Sequence, residues 1–202
     1  MKLYYAPGAC SLSPHIVARE AGIELQLEKV DTATKTVKAQ GDYWKINPKG
    51  YVPALEITPG DVLTEGPAIV QYLADQKPHS GLVPPAGSQE RYRMQEMLGY
   101  INSEIHKSYS PLFSPSTPQA TREERQEYLR KRYKFLDERL AGRDYLFGDK
   151  FSAADAYLFT VTNWATPVKL NLSEFANLMA FQKRVAARPA VKEAMKAEGL
   201  IK

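Results

Sequence analysis

The chain changes its hydrophobic period once, across residues 77–87, and that change limits what it can fold into. Before it, short apolar runs of strand type alternate with helical patterning. From Ser88 onward no stretch reads as a strand, and apolar residues recur every three or four positions. The connector, Lys77-Pro78-His79-Ser80-Gly81 through Pro84-Pro85-Ala86-Gly87, carries prolines and glycines without periodicity. The pattern predicts a mixed α/β domain over residues 1–77, a linker over 78–87 and an all-helical domain over 88–202.

Within the first domain, residues 1–5 read as a strand and a helix follows Cys10 as far as Gly22. Leu25-Gln26-Leu27-Glu28-Lys29-Val30 alternates as a second strand, and residues 42–46 make a short helical turn stopped by Asn47-Pro48. Ala54-Leu55-Glu56-Ile57 and Val62-Leu63-Thr64 pair about Pro59-Gly60-Asp61, and a helix covers residues 65–74. The order is β-α-β-α-β-β-α. In the second domain, helices are expected over residues 91–109 and 121–140, joined by a proline-rich loop over 110–118. Ser152 and Asp155 form a capping box ahead of an apolar helix at the buried centre, and segments 178–185 and 190–197 complete the bundle.

Composition narrows the function classes. One cysteine among 202 residues excludes an intramolecular disulfide and a cysteine-based zinc cluster, so no metal is expected and a reducing compartment suits the thiol. Proline arrives at position 7 before a signal-type apolar segment forms, and no run approaches the roughly 20 apolar residues that span a bilayer. The expected location is the cytoplasm, with no membrane partner. A net charge of +4 is spread among acids, as in Arg122-Glu123-Glu124-Arg125-Gln126-Glu127, which reads as a solvated helix face rather than a nucleic-acid footprint. Its mild positive potential attracts small anions.

Chemistry concentrates where the first strand turns into the first helix, at Tyr5-Ala6-Pro7-Gly8-Ala9-Cys10-Ser11-Leu12-Ser13-Pro14-His15. The Ser11 and Ser13 hydroxyls are candidate caps, and the N–H groups of a new helix favour thiolate over thiol at Cys10. A lone cysteine is also commonly a buried, inert one. Cys10-Ser11-Leu12-Ser13 lacks the second thiol of a self-resolving pair, so this sulfur exchanges only with an external thiol. Pro53, just before the third strand, sits either at a sheet edge or on a cis bond that turns the Val52 backbone outward toward an extended peptide. Glu65-Gly66 begins a helix whose N–H groups suit a carboxylate. His106 is either a catalytic residue or a satisfied interior histidine. Tyr157, Phe159 and Trp164 read as core, and Tyr109, Leu112 and Phe113 as lining for an apolar pocket.

Together, and in this order, these motifs resemble a glutathione S-transferase, in detail the bacterial beta class, which has a cysteine where other classes use tyrosine or serine. The resemblance spans the whole chain and rests on Tyr5-x-Pro7-Gly8-Ala9-Cys10-Ser11, Asn47-Pro48-x-Gly50-x-Val52-Pro53-Ala54-Leu55, Leu63-Thr64-Glu65-Gly66-x-Ala68-Ile69, Glu104-x-His106-Lys107 and Phe151-x-x-Ala154-Asp155-Ala156-Tyr157-Leu158. It implies a thioredoxin-like N-terminal domain followed by a C-terminal helical bundle, glutathione as co-substrate, a small apolar electrophile, a role in detoxification and a homodimer, for which Tyr92, Tyr100 and Tyr133 read either as an aromatic surface or as interior packing. It places Cys10, Ser11 and Tyr5 beside the glutathione sulfur with His106 near it, Val52 and cis-Pro53 on the cysteinyl backbone, and Glu65 and Gly66 on the γ-glutamyl end. Lys35 neutralises the glycyl carboxylate. Ser103, Glu104 and Lys107 bind glutathione from the helical domain, Glu104 across the dimer interface. Two departures stand out: Gly66 occupies a position where many relatives have serine, and Gly99 one where the beta class usually has asparagine. A non-catalytic binding protein of the same fold is the alternative, with a glutathione-dependent reductase or lyase of one metabolite as a third reading.

Overall fold

A computed structural model describes residues 1–38 and 40–202. Two compact units divide the chain: Met1–Val83 with Ala187–Lys202, and Pro84–Ala186.

The first unit is built on a sheet whose strands are β1 (Lys2–Tyr5), β2 (Gln26–Asp31), β3 (Thr36–Val37), β4 (Gly41–Asp42), β5 (Ala54–Thr58) and β6 (Asp61–Thr64), in the order β4-β3-β2-β1-β5-β6. β1 and β2 run parallel, joined by α1 (Leu12–Glu20), and the other pairings are antiparallel. The thioredoxin-like arrangement of strand, crossover helix, strand and terminal hairpin is the one the motif order implies. One element differs. The expected second helix is a single 3₁₀ turn, Tyr43–Lys45, capped by Asp42, whose carboxylate accepts the Trp44 N–H at 3.0 Å. Asn47-Pro48 follows immediately and leaves no room for a second turn. The span before it forms β3 and β4, which are too short to show a two-residue period in sequence.

α2 (Gly66–Asp75) buries Ile69, Val70 and Leu73, and α1 buries Leu12, Ile16 and Val17. Each such side chain contributes about 1.5–3 kcal/mol on leaving water. α8 (Pro189–Ala197) packs on α1 and so clusters with this unit, although its sequence patterning is that of the helical bundle. Arg188 holds Glu20 through two bonds of 2.6 and 2.7 Å, and the buried Glu198 carboxylate takes His15 Nδ1 at 2.9 Å.

The second unit contains α3 (Gln89–Tyr100), α4 (Lys107–Phe113), α5 (Gln119–Leu140), α6 (Ala153–Thr162) and α7 (Ala176–Ala186). α3 does not end where it was expected to yield to a loop. A π-helical turn, Ile101–His106, carries it into α4 and past Pro111, so the expected loop begins only at Ser114. Proline lacks one N–H and bends the helix without stopping it. α6 starts at the expected capping box: Asp155 accepts from the Ser152 N–H at 2.8 Å and the Ser152 hydroxyl at 2.6 Å, and also binds the Leu146 N–H at 2.8 Å. Every residue of α6 is buried. Of the three tyrosines read either as a dimer surface or as interior packing, Tyr92 is exposed, Tyr100 meets the Phe135 ring at a tilt with centroids 5.1 Å apart, and Tyr133 packs inside, where its hydroxyl meets that of Tyr109 at 2.9 Å. No helix among the described residues is long and apolar enough to cross a membrane.

Candidate functional site

The turn from β1 into α1 is held from three directions. Gly8 adopts φ +70°, which favours glycine, and its N–H donates to Glu198 Oε2 at 2.9 Å. The fully buried Ser11 hydroxyl accepts the Ala6 N–H at 3.1 Å and donates to the Ala6 carbonyl at 3.2 Å. Ser13 Oγ donates to the Cys10 carbonyl at 2.8 Å. Neither serine caps the helix N–H groups, as sequence reasoning expected; both bind the turn itself, which fixes Cys10 where the two elements meet.

Cys10 Sγ lies 3.1 Å from the Val52 carbonyl oxygen and donates to it. Burial pushes this thiol up to about 12, and the Glu65 charge adds to the rise; the Cys10 and Ser11 backbone N–H groups pull the other way and lose. Of the two readings the sequence leaves open for this cysteine, burial favours the un-ionised thiol. α1 begins two residues beyond the sulfur, and desolvation outweighs the few N–H dipoles within reach. Tyr5 is partly buried, and burial raises its hydroxyl as well.

Val52-Pro53 is a cis peptide, one of the two alternatives left open by the sequence. The preceding loop is clamped by the Tyr43 hydroxyl and the Asn47 amide, both donating to the Tyr51 carbonyl at 2.7 and 2.8 Å. Lys35 Nζ donates to the Gly50 carbonyl at 2.9 Å and lies over the Trp44 ring. Glu65 opens α2 with φ +69°, a conformation that costs a non-glycine residue about 1–3 kcal/mol and that clusters at ligand sites. Its carboxylate is exposed and pairs with Lys49 Nζ at 2.6 Å. Gly66 is the first helical residue; Pro67 after it carries no N–H, and the Ala68 N–H donates to the Glu65 carbonyl at 3.0 Å.

The other candidates share the π turn. Ser103 and Lys107 are exposed. Glu104 faces α5, where it accepts from Tyr128 at 2.5 Å and pairs with Arg132 Nε at 2.9 Å. His106 faces α6: Nδ1 meets the Tyr157 hydroxyl at 2.5 Å, and that hydroxyl donates to Asn102 Oδ1 at 2.8 Å. Trp164 stands edge-on to the imidazole at 4.8 Å and also meets Tyr109 and Phe113 at 5.6 Å. The expected apolar lining is therefore split. Tyr109 and Leu112 are buried, whereas Phe113 is half exposed beside Trp164.

Within the first unit the fold thus gathers Cys10, Val52 and Pro53, with Glu65 close enough to act on the sulfur electrostatically. Within the second it groups Ser103, Glu104, His106 and Lys107 on one turn but turns Glu104 and His106 to different helices. Sequence reasoning missed Lys49, Glu198 and the polar pairing of Asn102 with Tyr157. Each meets a partner at least 16 positions away, and no local pattern announces such a pair.

Comparison with known proteins bears on this arrangement. Two family models match: "Glutathione S-transferase, N-terminal domain" over residues 8–76 and "Glutathione S-transferase, C-terminal domain" over residues 100–189. Glutathione S-transferase GstA of Escherichia coli O157:H7 is 46% identical over 200 residues, covering 99% of this chain and 100% of that protein. Among solved structures, a sphingomonad glutathione S-transferase complexed with glutathione superposes with TM-score 0.95 at 44% identity, covering all of both chains. A bacterial beta class glutathione S-transferase from Sphingomonas chungbukensis gives TM-score 0.95 at 43% identity, again over all of both chains.

Proposed function

Because the chain belongs to the glutathione S-transferase family, with beta-class relatives, we propose that it conjugates the glutathione thiolate to soft, apolar electrophiles in detoxification, with glutathione-disulfide exchange through Cys10 as a second activity. The observation that carries this reading is the Cys10 thiol lying on the Val52 carbonyl. It puts the thiol and the backbone of the cis-proline turn at one point, as recognition of a cysteinyl peptide requires.

In conjugation the attacking sulfur belongs to glutathione. Cys10, held up to about 12, stays a thiol at neutral pH and offers a hydrogen bond rather than a nucleophile. His106 takes the glutathione S–H proton, the thiolate attacks the electrophilic carbon, and the leaving group departs with its electron pair. Tyr5 lines the sulfur corner, and Ser11 keeps the turn in shape through Ala6. Val52 and Pro53 receive the cysteinyl backbone, Glu65 the γ-glutamyl amine, the Gly66 N–H its carboxylate and Lys35 the glycyl carboxylate. The exposed Ser103 and Lys107 add polar contacts, and Glu104 acts toward a second copy of the chain. Phe113 and Trp164 supply apolar surface for the electrophile.

In exchange, the ionised fraction of Cys10 attacks glutathione disulfide, forming a Cys10–glutathione disulfide and releasing glutathione thiolate; a glutathione thiolate then attacks the glutathionyl sulfur of that mixed disulfide, re-forming glutathione disulfide and returning Cys10 as thiolate. Cys10→Ala is the discriminating variant. It is expected to abolish exchange and to leave conjugation of a chloronitroaromatic compound within about threefold. Loss of both would return Cys10 to the conjugation step, and failure of the wild-type chain to bind immobilised glutathione would sink both activities. We also propose a homodimer, supported by the exposed Tyr92, and a reducing, cytoplasmic address suited to the single thiol. Sedimentation should give twice the 22.7 kDa chain mass; a monomer refutes the dimer.

A further inference from the structure

His106 does not stand alone in the second unit: it shares a hydrogen-bonded chain with Tyr157 and Asn102. Tyr157 is buried, and its hydroxyl has one proton to give. That proton goes to Asn102 Oδ1 at 2.8 Å. The same hydroxyl lies 2.5 Å from His106 Nδ1, and with its proton already committed it can only accept there. Nδ1 therefore carries the hydrogen, and Nε2 carries the lone pair. We infer that Tyr157 and Asn102 are positioning residues that lock His106 in its Nδ1–H tautomer and so present Nε2 as the basic nitrogen. This rests on the role given to His106 above for its catalytic meaning, but not for its physical content.

The helix geometry makes the lock possible. Asn102 and His106 belong to the same π turn, in which the Lys107 N–H reaches back to the Asn102 carbonyl, five residues away, rather than to Ser103. Four residues apart on this turn, the side chains at 102 and 106 share a face and meet the same hydroxyl of α6. Trp164 closes on the ring from the side at 4.8 Å, and the Tyr157 ring stands edge-on at 5.8 Å, so the imidazole plane is constrained as well as its protonation. A neutral imidazole in water favours neither nitrogen strongly. Here an acceptor at Nδ1 selects one tautomer, as an orienting group does for a catalytic histidine generally.

The test reads the tautomer directly. Two-dimensional 15N–1H long-range correlation spectra of the histidine ring in wild-type protein at pH 8 are expected to show His106 protonated at Nδ1. Asn102→Leu removes the acceptor of the tyrosine proton, which then turns to Nδ1; the tautomer is expected to invert to Nε2–H. Asn102→Asp retains an acceptor and should restore the wild-type pattern. Tyr157→Phe should leave a mixture of both tautomers and lower kcat/KM for conjugation by about 10-fold, with KM for glutathione within about twofold. An Nε2–H tautomer in the wild type, or one unmoved by Asn102→Leu, overturns the inference. Because Asn102 is only partly buried, that variant decides the matter even if Tyr157→Phe fails to fold. His106→Asn separates the two readings. If it conjugates at the wild-type rate while the tautomers behave as stated, the proposed role of His106 falls and the lock stands. If it is impaired, adding Tyr157→Phe to it should cost nothing more; an additive loss overturns the coupling of Tyr157 to His106.

Discussion

The reactivity of Cys10 against pH gives the sharpest test of the physical account. Moving the thiol from its ordinary value of 9.0 to about 12 leaves roughly one molecule in 10⁴ ionised at pH 8, against about one in ten for an unperturbed thiol, a deficit of about 1000-fold. A more basic thiolate is also a better nucleophile. With a Brønsted coefficient of about 0.4–0.5, the rise returns about 15–30-fold, so the net rate with an aromatic disulfide reagent should be about 30–70-fold below that of free cysteine at pH 8. Cys10 is the only cysteine, so the absorbance of the released thiolate reports it alone. Crowding at a partly buried sulfur would slow the reaction further, and for that reason the pH slope is the diagnostic quantity. The second-order rate should climb about tenfold per pH unit from 8 to 11 without levelling. A plateau below pH 9, or a rate at pH 8 equal to that of free cysteine, would refute the claim that burial dominates the helix N–H groups. The same shift has a stability sign. Between pH 9 and 12 the unfolded thiol has lost its proton while the native one keeps it, so stability is complete below pH 9 and falls as the pH rises through that window.

Further outcomes follow from buried partners. Glu198→Ala removes the acceptor of His15 Nδ1 and of the Gly8 N–H; leaving the buried imidazole unpaired should cost about 2–4 kcal/mol and lower Tm by about 5–15 °C in a calorimetric scan. Asp155→Ala deletes the capping box and the bond to Leu146 and should cost about 3–5 kcal/mol by urea titration; a loss under 1 kcal/mol would mean that α6 is held by its apolar packing alone. Gly50→Ala puts a Cβ 2.6 Å from the Trp44 ring at φ +67°, so it should destabilise by about 1–3 kcal/mol, with a change in Trp fluorescence. Glu65→Gln should raise KM for glutathione about 10-fold and leave kcat nearly unchanged, as loss of a ground-state contact does; an unchanged KM removes Glu65 from the γ-glutamyl end.

The parts of this architecture that were legible in the sequence are those written in local chemistry. The change of period near residue 80, the hairpin at Pro59-Gly60, the cap at Ser152 and the apolar α6 all depend on neighbours within a few positions. The turn at Cys10 was legible as a place but not as an electrostatic environment, because burial is a property of the packed surroundings and not of Cys10-Ser11. The π turn was invisible: one residue of extra pitch within residues 91–109 leaves the spacing of Met94, Met97, Ile101 and Ile105 apolar and helical either way. The meeting of Asn102 and His106 on Tyr157 was equally hidden, because it depends on a partner 51 residues from His106. Pro111 misled for a related reason, since proline argues against a helix interior only when the helix cannot give up one bond.

The return of residues 187–202 to the first unit makes the helical unit an insertion, bounded on both sides by the polypeptide of its neighbour. On the ribosome this inverts the usual order of completion. The sheet precedes the helical unit in the chain, yet it lacks α8, the Arg188–Glu20 clasp and the Glu198 carboxylate until residues 187–202 have followed residues 84–186. The cysteine turn is made before residues 84–186 and finished after them.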